Sequence, residues 1–178
     1  MRYAILIIAI FMLSTLFCKG DINPVDSLLT NKGNDKLYIR TDENIYSWKQ
    51  SESELIIIIQ GSLENKSEST YYSKTGNGNG PPEQDQLFFA GNSAGKIEKY
   101  NQSDNSWYET NILGFLIEGS RFVPLNSSKV YSIYAHLTIN KDREERGKYR
   151  LRIDYYQNVN PKNNSKPFKD YSNTFLIR

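Results

Sequence analysis

The sequence is short of reactive side chains. Its 178 residues include one cysteine and one histidine. A lone cysteine forbids an intramolecular disulfide, and one cysteine with one histidine excludes the usual zinc clusters. Charge of one sign is also lacking. Twenty-two Lys and Arg face twenty Asp and Glu, a formal net charge of +2. The two signs are interspersed, without the one-sided basic face of a nucleic-acid binder. No internal repeat is present, which argues against a propeller or solenoid. No cofactor motif is found: the glycines from Gly76 to Gly80 are not followed by the Lys-Ser/Thr pair and helix of a phosphate cradle. Aromatics, by contrast, are plentiful: thirteen tyrosines, eight phenylalanines and two tryptophans. They supply the material for a core held by packing alone.

The one long apolar run is N-terminal. Met1-Arg2 precedes a stretch reaching Phe17, about 15 residues and short of the roughly 20 that span a bilayer as a stable helix. A positive start followed by an apolar segment has the layout of a secretory signal. The cysteine, Cys18, falls where the run ends, before Lys19-Gly20-Asp21. This placement resembles the lipobox of bacterial lipoproteins, in which the signal is cut just before a cysteine that carries lipid. Thr15 and Phe17 stand where that pattern has a leucine and a small residue. The resemblance implies a lipidated Cys18 as the link to a membrane. Ordinary cleavage after Gly20 would instead discard Cys18 and secrete the protein. The expected organisation is a lipoprotein-type signal peptide over 1–17, a flexible spacer over 18–35 rich in Gly, Asn, Asp and Pro, and one domain over 36–178.

From Lys36 onward the pattern is strands and turns. Lys36 to Thr41 alternates apolar with polar, as does Val130 to Ile139. Tyr149, Leu151, Ile153 and Tyr155 share one face of a strand, with Arg150, Arg152 and Asp154 on the other. Lys96–Tyr100 and Ser106–Glu109 flank a clear hairpin turn. Glu54 to Gln60 is β-branched throughout and reads as a central strand buried on both faces, extended through a bulge at Gly61. Such short strands with no convincing helix predict an all-β sandwich, antiparallel and of about seven to ten strands.

Trp107, Phe122-Val123-Pro124-Leu125-Asn126, Gly147-Lys148-Tyr149-Arg150-Leu151-Arg152-Ile153 and Ser172-Asn173-Thr174-Phe175 carry a second resemblance. Together they look like a family of bacterial immunoglobulin-like β-sandwich domains of secreted proteins and lipoproteins. The match covers roughly 36–178, and the paired cysteines of antibody domains are absent. The resemblance implies architecture and secretion, and it gives Tyr149 the role of a tyrosine corner, its hydroxyl bonding back to backbone at the preceding corner.

Chemistry is thinly signalled. Gly91-Asn92-Ser93-Ala94-Gly95 matches the nucleophile-elbow pattern, but the residues after it alternate like a strand, where that elbow needs a helix. His136 lies on the more polar face of its strand, and Glu144-Glu145 reads as a solvated turn. Trp48, Tyr71, Tyr72, Trp107 and Tyr108 lie near turns and are candidate binding aromatics, because rigid aromatics concentrate binding energy; core filling is the competing account. The expectation is a non-catalytic lipoprotein of the bacterial cell envelope, periplasmic or on the outer surface, using an immunoglobulin-like domain for protein interaction, adhesion or assembly. The alternatives are a carbohydrate-binding β-sandwich module, with two or three of the aromatics exposed in one plane, and a secreted inhibitor using the 75–86 loop as bait for a protease.

Overall fold

The computed structural model describes residues 36–50, 54–76, 85–89, 93–112, 120–140, 142, 145–159, 161 and 165–178. All belong to one compact unit, Asn31–Arg178. Within them the chain forms thirteen strands: β1 (Leu37–Thr41), β2 (Ile45–Tyr46), β3 (Lys49–Gln50), β4 (Glu54–Asn65), β5 (Tyr71–Gly76), β6 (Gln86–Phe89), β7 (Gly95–Asn101), β8 (Ser106–Glu109), β9 (Ser120–Leu125), β10 (Val130–Asn140), β11 (Gly147–Tyr156), β12 (Phe168–Tyr171) and β13 (Phe175–Ile177). The all-β sandwich expected from the sequence is the observed architecture. The signal segment 1–17, Cys18 and the spacer to residue 35 lie outside the described residues, as do 77–84 of the proposed bait loop.

Sheet A runs β1-β4-β10-β6, with β3 also on β4. Its spine is the antiparallel β4–β10 ladder, from Val130↔Glu64 to Asn140↔Glu54. Sheet B is built around β11. One edge of β11 carries β13 and then β12; the other carries β7 and then β5, which continues to β9. The sandwich is not wholly antiparallel, because β6 runs parallel to β10 and β2 parallel to β13. A parallel neighbour requires a long connection, and both pairs join segments far apart in sequence.

The core is the set of inward residues that period-two spacing picks out. Tyr149, Leu151, Ile153 and Tyr155 of β11 are all buried, as are Tyr131, Ile133, Ala135 and Leu137 of β10. Rings pack edge-on or stacked across the interior, Tyr71 on Tyr155 at 5.1 Å and Tyr149 on Phe175 at 6.2 Å. Three expectations need correction. There are more strands than ten, because two-residue pairings such as β2 and β3 leave no periodic trace in sequence. The isoleucine run is central in its sheet but buried on one face only: Ile57 and Ile59 are in the core while Ile58 is 58% exposed. Nor is there a bulge at Gly61, since the register with β1 and β10 passes through it unbroken. A Cβ there would lie 2.3 Å from the Arg40 carbonyl oxygen, so close strand approach accounts for the glycine.

Side chains complete the seam where the sheet edges meet. The outward N–H groups of β1 have no strand to pair with, and an unpaired buried donor costs about 1–3 kcal/mol. Leu37 N–H donates to Asp170 Oδ2 at 2.8 Å and Thr41 N–H to Asn173 Oδ1 at 2.8 Å. Between them Ile39 bridges Ser172 in parallel. The buried Asp170 carboxylate also accepts Tyr155 Oη–H at 2.7 Å.

Candidate functional site

The residues singled out for chemistry do not converge. Ser93 Oγ accepts the N–H of Gly95 at 3.2 Å and donates to its carbonyl at 3.3 Å, a local turn bond. The Gly-x-Ser-x-Gly stretch then opens strand β7 rather than a helix. A Cβ on Gly95 would strike the Phe89 ring at 2.2 Å. Ser93 leads into sheet B, whereas His136 sits on the outward face of β10 in sheet A, across from Ile58. Burial lowers the His136 pKa below its ordinary 6.5, and Glu54 pulls weakly the other way.

The five candidate aromatics are not in one plane. Tyr71 is core, as the competing account holds. Trp48 packs against the core, with its indole N–H donating to the Glu145 carbonyl at 2.7 Å. Tyr72 is half-buried on β5, opposite Pro124 and Tyr156. Trp107 and Tyr108 are consecutive on β8 and so point to opposite sides; Tyr108 is exposed. Tyr149 is fully buried, but its hydroxyl donates to the Glu145 side chain, Oε2 at 3.1 Å. Burial, then the Glu145 charge, pushes its pKa up. The backbone-bonded corner tyrosine is instead Tyr131, which donates to the Pro124 carbonyl at 2.9 Å and accepts the Asn126 N–H at 2.7 Å. Tyr131 follows directly on the turn between β9 and β10; Tyr149 follows a charged turn whose glutamate reaches it first.

The most developed side-chain cluster lies on the outer face of sheet B, among residues that sequence reasoning did not pair. Arg150 of β11 donates through Nε and Nη2 to Glu98 Oε2 of β7, at 2.8 and 2.6 Å. Its guanidinium lies 4.3 Å from the Trp107 ring centroid and 3.8 Å from that of Tyr171. The cation is thus held between two aromatic faces, an arrangement worth about 2 kcal/mol or more per contact when desolvated. Arg152 reaches Glu98 Oε1 at 2.7 Å, Glu109 Oε2 at 3.2 Å and Asp154 Oδ1 at 3.0 Å. Burial disfavours the charge on Arg152, but the bonds to Glu98 and Asp154 outweigh it and hold its pKa above the ordinary value. Tyr171 is pushed up by burial and then by Glu98. Arg150 and Glu98 are both buried although they face away from the core, because Trp107 and Tyr171 cover them. The outward row Arg150-Arg152-Asp154 was the available signal; its partners depend on strand register.

Beside this face, at the end of the β7–β8 hairpin, is a depression of about 460 Å³. Lys99, Tyr100, Gln102, Tyr108, Arg146 and Lys148 are among its lining residues. The hairpin turn forming one wall is braced internally. Asn101 Nδ2 donates to Asp104 Oδ2 at 2.7 Å and Ser103 N–H to Asn101 Oδ1 at 3.0 Å. Asn105 takes a positive φ of 52°, and the Tyr100 hydroxyl is bonded to its side chain. Among the described residues, no group of three or more His, Cys, Asp and Glu is placed to hold a metal ion.

No protein-family model and no curated protein matches the sequence. Two solved structures resemble the chain distantly. A calcium-binding mutant of Bacteroides uniformis beta-glucuronidase 2 aligns with TM-score 0.32 and 16% identity over 80% of this chain. The chain spans 13% of that protein's length. AvmM, described as catalysing macrocyclization in alchivemycin A biosynthesis, aligns with TM-score 0.35 and 11% identity, covering 81% of this chain and 89% of AvmM.

Proposed function

We propose that this chain is a non-catalytic lipoprotein of the bacterial cell envelope whose immunoglobulin-like domain binds other molecules through its outward surfaces. The observation that carries this reading is the outer face of sheet B. There the Arg150–Glu98–Arg152 cluster is fixed by bonds and aromatic covers, giving a partner a surface with little side-chain freedom left to lose. The filled interior supports it too, since aromatic and aliphatic packing occupies the inward faces and Ser93 is engaged in its own turn. The backbone-bonded Tyr131 favours the immunoglobulin-like assignment. The layout of residues 1–17, with Cys18 at their end, favours export and lipid attachment.

Mass spectrometry of the membrane-derived protein tests the anchor. The expected N-terminal peptide begins at an acylated Cys18; an unmodified terminus at Asp21 removes the lipoprotein claim. For the claim of no catalysis, a broad hydrolase screen is the check. Turnover that disappears in Ser93→Ala would overturn it.

A second reading, a carbohydrate-binding module, draws on the depression beside the β7–β8 hairpin. Its exposed Tyr108 and half-buried Tyr100 offer ring surface in a concave setting.

A further inference from the structure

We infer that the depression at the β7–β8 hairpin binds an acidic sugar, the carboxylate taken by Arg146 and Lys148 and the sugar ring lying against Tyr108. The inference rests on the carbohydrate reading of the same depression and specifies its ligand class. Its volume, about 460 Å³, lies within the roughly 300–1,000 Å³ of small-ligand sites. Among the described residues lining it are three cations, Lys99, Arg146 and Lys148, and no carboxylate. Glu145 holds Lys99 at 3.2 Å, so the charge directed at a ligand comes from Arg146 and Lys148. Arginine presents a planar fork that matches a carboxylate in two parallel bonds, and lysine adds a point charge on a flexible stem.

The aromatic component separates a sugar from a simple anion. Tyr108 is 46% exposed, because β8 pairs only with β7 and is the last strand on that side of the sheet. Tyr100 is immobilised on its far side by Trp107, with centroids 5.2 Å apart, and the Lys148 ammonium sits 5.7 Å from its ring centroid. Exposed Gln102 and Ser103 add donors and acceptors at the rim. A ring face, rim amide and hydroxyl groups and a cationic end together suit a pyranose bearing one acid group. The braced 101–105 turn keeps the wall in place before binding, which lowers the ordering cost.

The test is calorimetric titration of the full-length protein with three acidic oligosaccharides: an oligogalacturonate, a sialyl-lactose and a glucuronate-containing disaccharide. Neutral counterparts of each and a tetraglutamate peptide are titrated alongside. The expected result is binding of at least one acidic sugar, weakened about tenfold or more, which is roughly 1.4 kcal/mol, by Arg146→Gln and by Tyr108→Ala. Both substitutions are at exposed positions, and unchanged circular dichroism confirms that each variant is folded. If neutral sugars bind equally well and only Tyr108→Ala weakens them, the acidic specification falls and the carbohydrate reading stands. If tetraglutamate binds as tightly as the sugars, or Tyr108→Ala has no effect, the depression is a general anion site and the proposal is wrong. If no sugar binds at millimolar concentration, this inference and the carbohydrate reading both fail.

Discussion

The two sheets solve the same problem on their outer faces in different ways. Sheet A rests on one long antiparallel ladder, in which β4 and β10 stay in register over their length. Its outward side chains are left plain: Ile58, Val130 and Tyr38 are exposed, and Phe88 stacks on Tyr134 at 5.7 Å. Sheet B has no such ladder. Four short strands share the two edges of β11, and each ends partway along it. Its outward side chains therefore supply sideways cohesion. Glu98 of β7, Arg150 and Arg152 of β11, Trp107 and Glu109 of β8 and Tyr171 of β12 tie four strands together across their backs. Where backbone pairing is continuous the outer surface is free to vary; where it is fragmented that surface becomes part of the structure.

This contrast can be broken most directly at Arg150. Replacing it with Met leaves Glu98 buried with half its partners, and the expected cost is about 3–5 kcal/mol in urea unfolding. A double variant that also carries Glu98→Gln should recover much of that loss. If Arg150→Met costs no more than an outward substitution in sheet A, the two faces are energetically alike and the distinction fails. Neighbouring isoleucines in β4 supply the matching measurement. Ile59→Ala opens a core cavity and should cost about 2–5 kcal/mol, whereas Ile58→Ser should stay within about 0.5 kcal/mol. Next in size is the Tyr131 hydroxyl. Tyr131→Phe loses both bonds to the 124–126 corner, for about 1–2 kcal/mol, and hydrogen exchange should quicken at the Asn126 amide.

The smallest effect is one of pH. Burial keeps the folded His136 pKa below its ordinary 6.5, so the unfolded chain takes up the proton first. The contribution of His136 to stability is complete above pH 6.5 and declines as the pH falls from there toward the folded value. His136→Gln should flatten the stability profile between pH 5 and 7; an unchanged slope would mean that the neutral ring is not favoured by the fold.

The sequence disclosed most where polarity alternates. In β11 the inward Tyr149-Leu151-Ile153-Tyr155 and outward Arg150-Arg152-Asp154 can be read residue by residue, and the structure keeps both sets. In Leu55 to Ile59 no polar residue marks the outward side, so one-sided burial could not be told from two-sided. Gly61 carried a conformational signal that proved to be steric, set by the Arg40 carbonyl on a neighbouring strand. Tyr149 and Tyr131 both follow turns, and only coordinates distinguish a hydroxyl that meets backbone from one that meets a glutamate. The Arg150 cluster was half legible. Its outward cations are plain in the text, but Glu98 joins them through register, Arg150 opposite Glu98, and Tyr171 through another strand's register, opposite Arg152.

The seam between β1 and the 170–173 segment has a consequence in time. Leu37 finds its acceptor 133 positions further along the chain, and Thr41 finds Asn173 after 132. As the polypeptide emerges from a ribosome or a translocation channel, β1 can settle on β4 early, yet its far edge stays open to solvent until Asp170 and Asn173 arrive. During that interval the nascent domain presents an unguarded strand to its surroundings, the state in which a chaperone would be most useful to it.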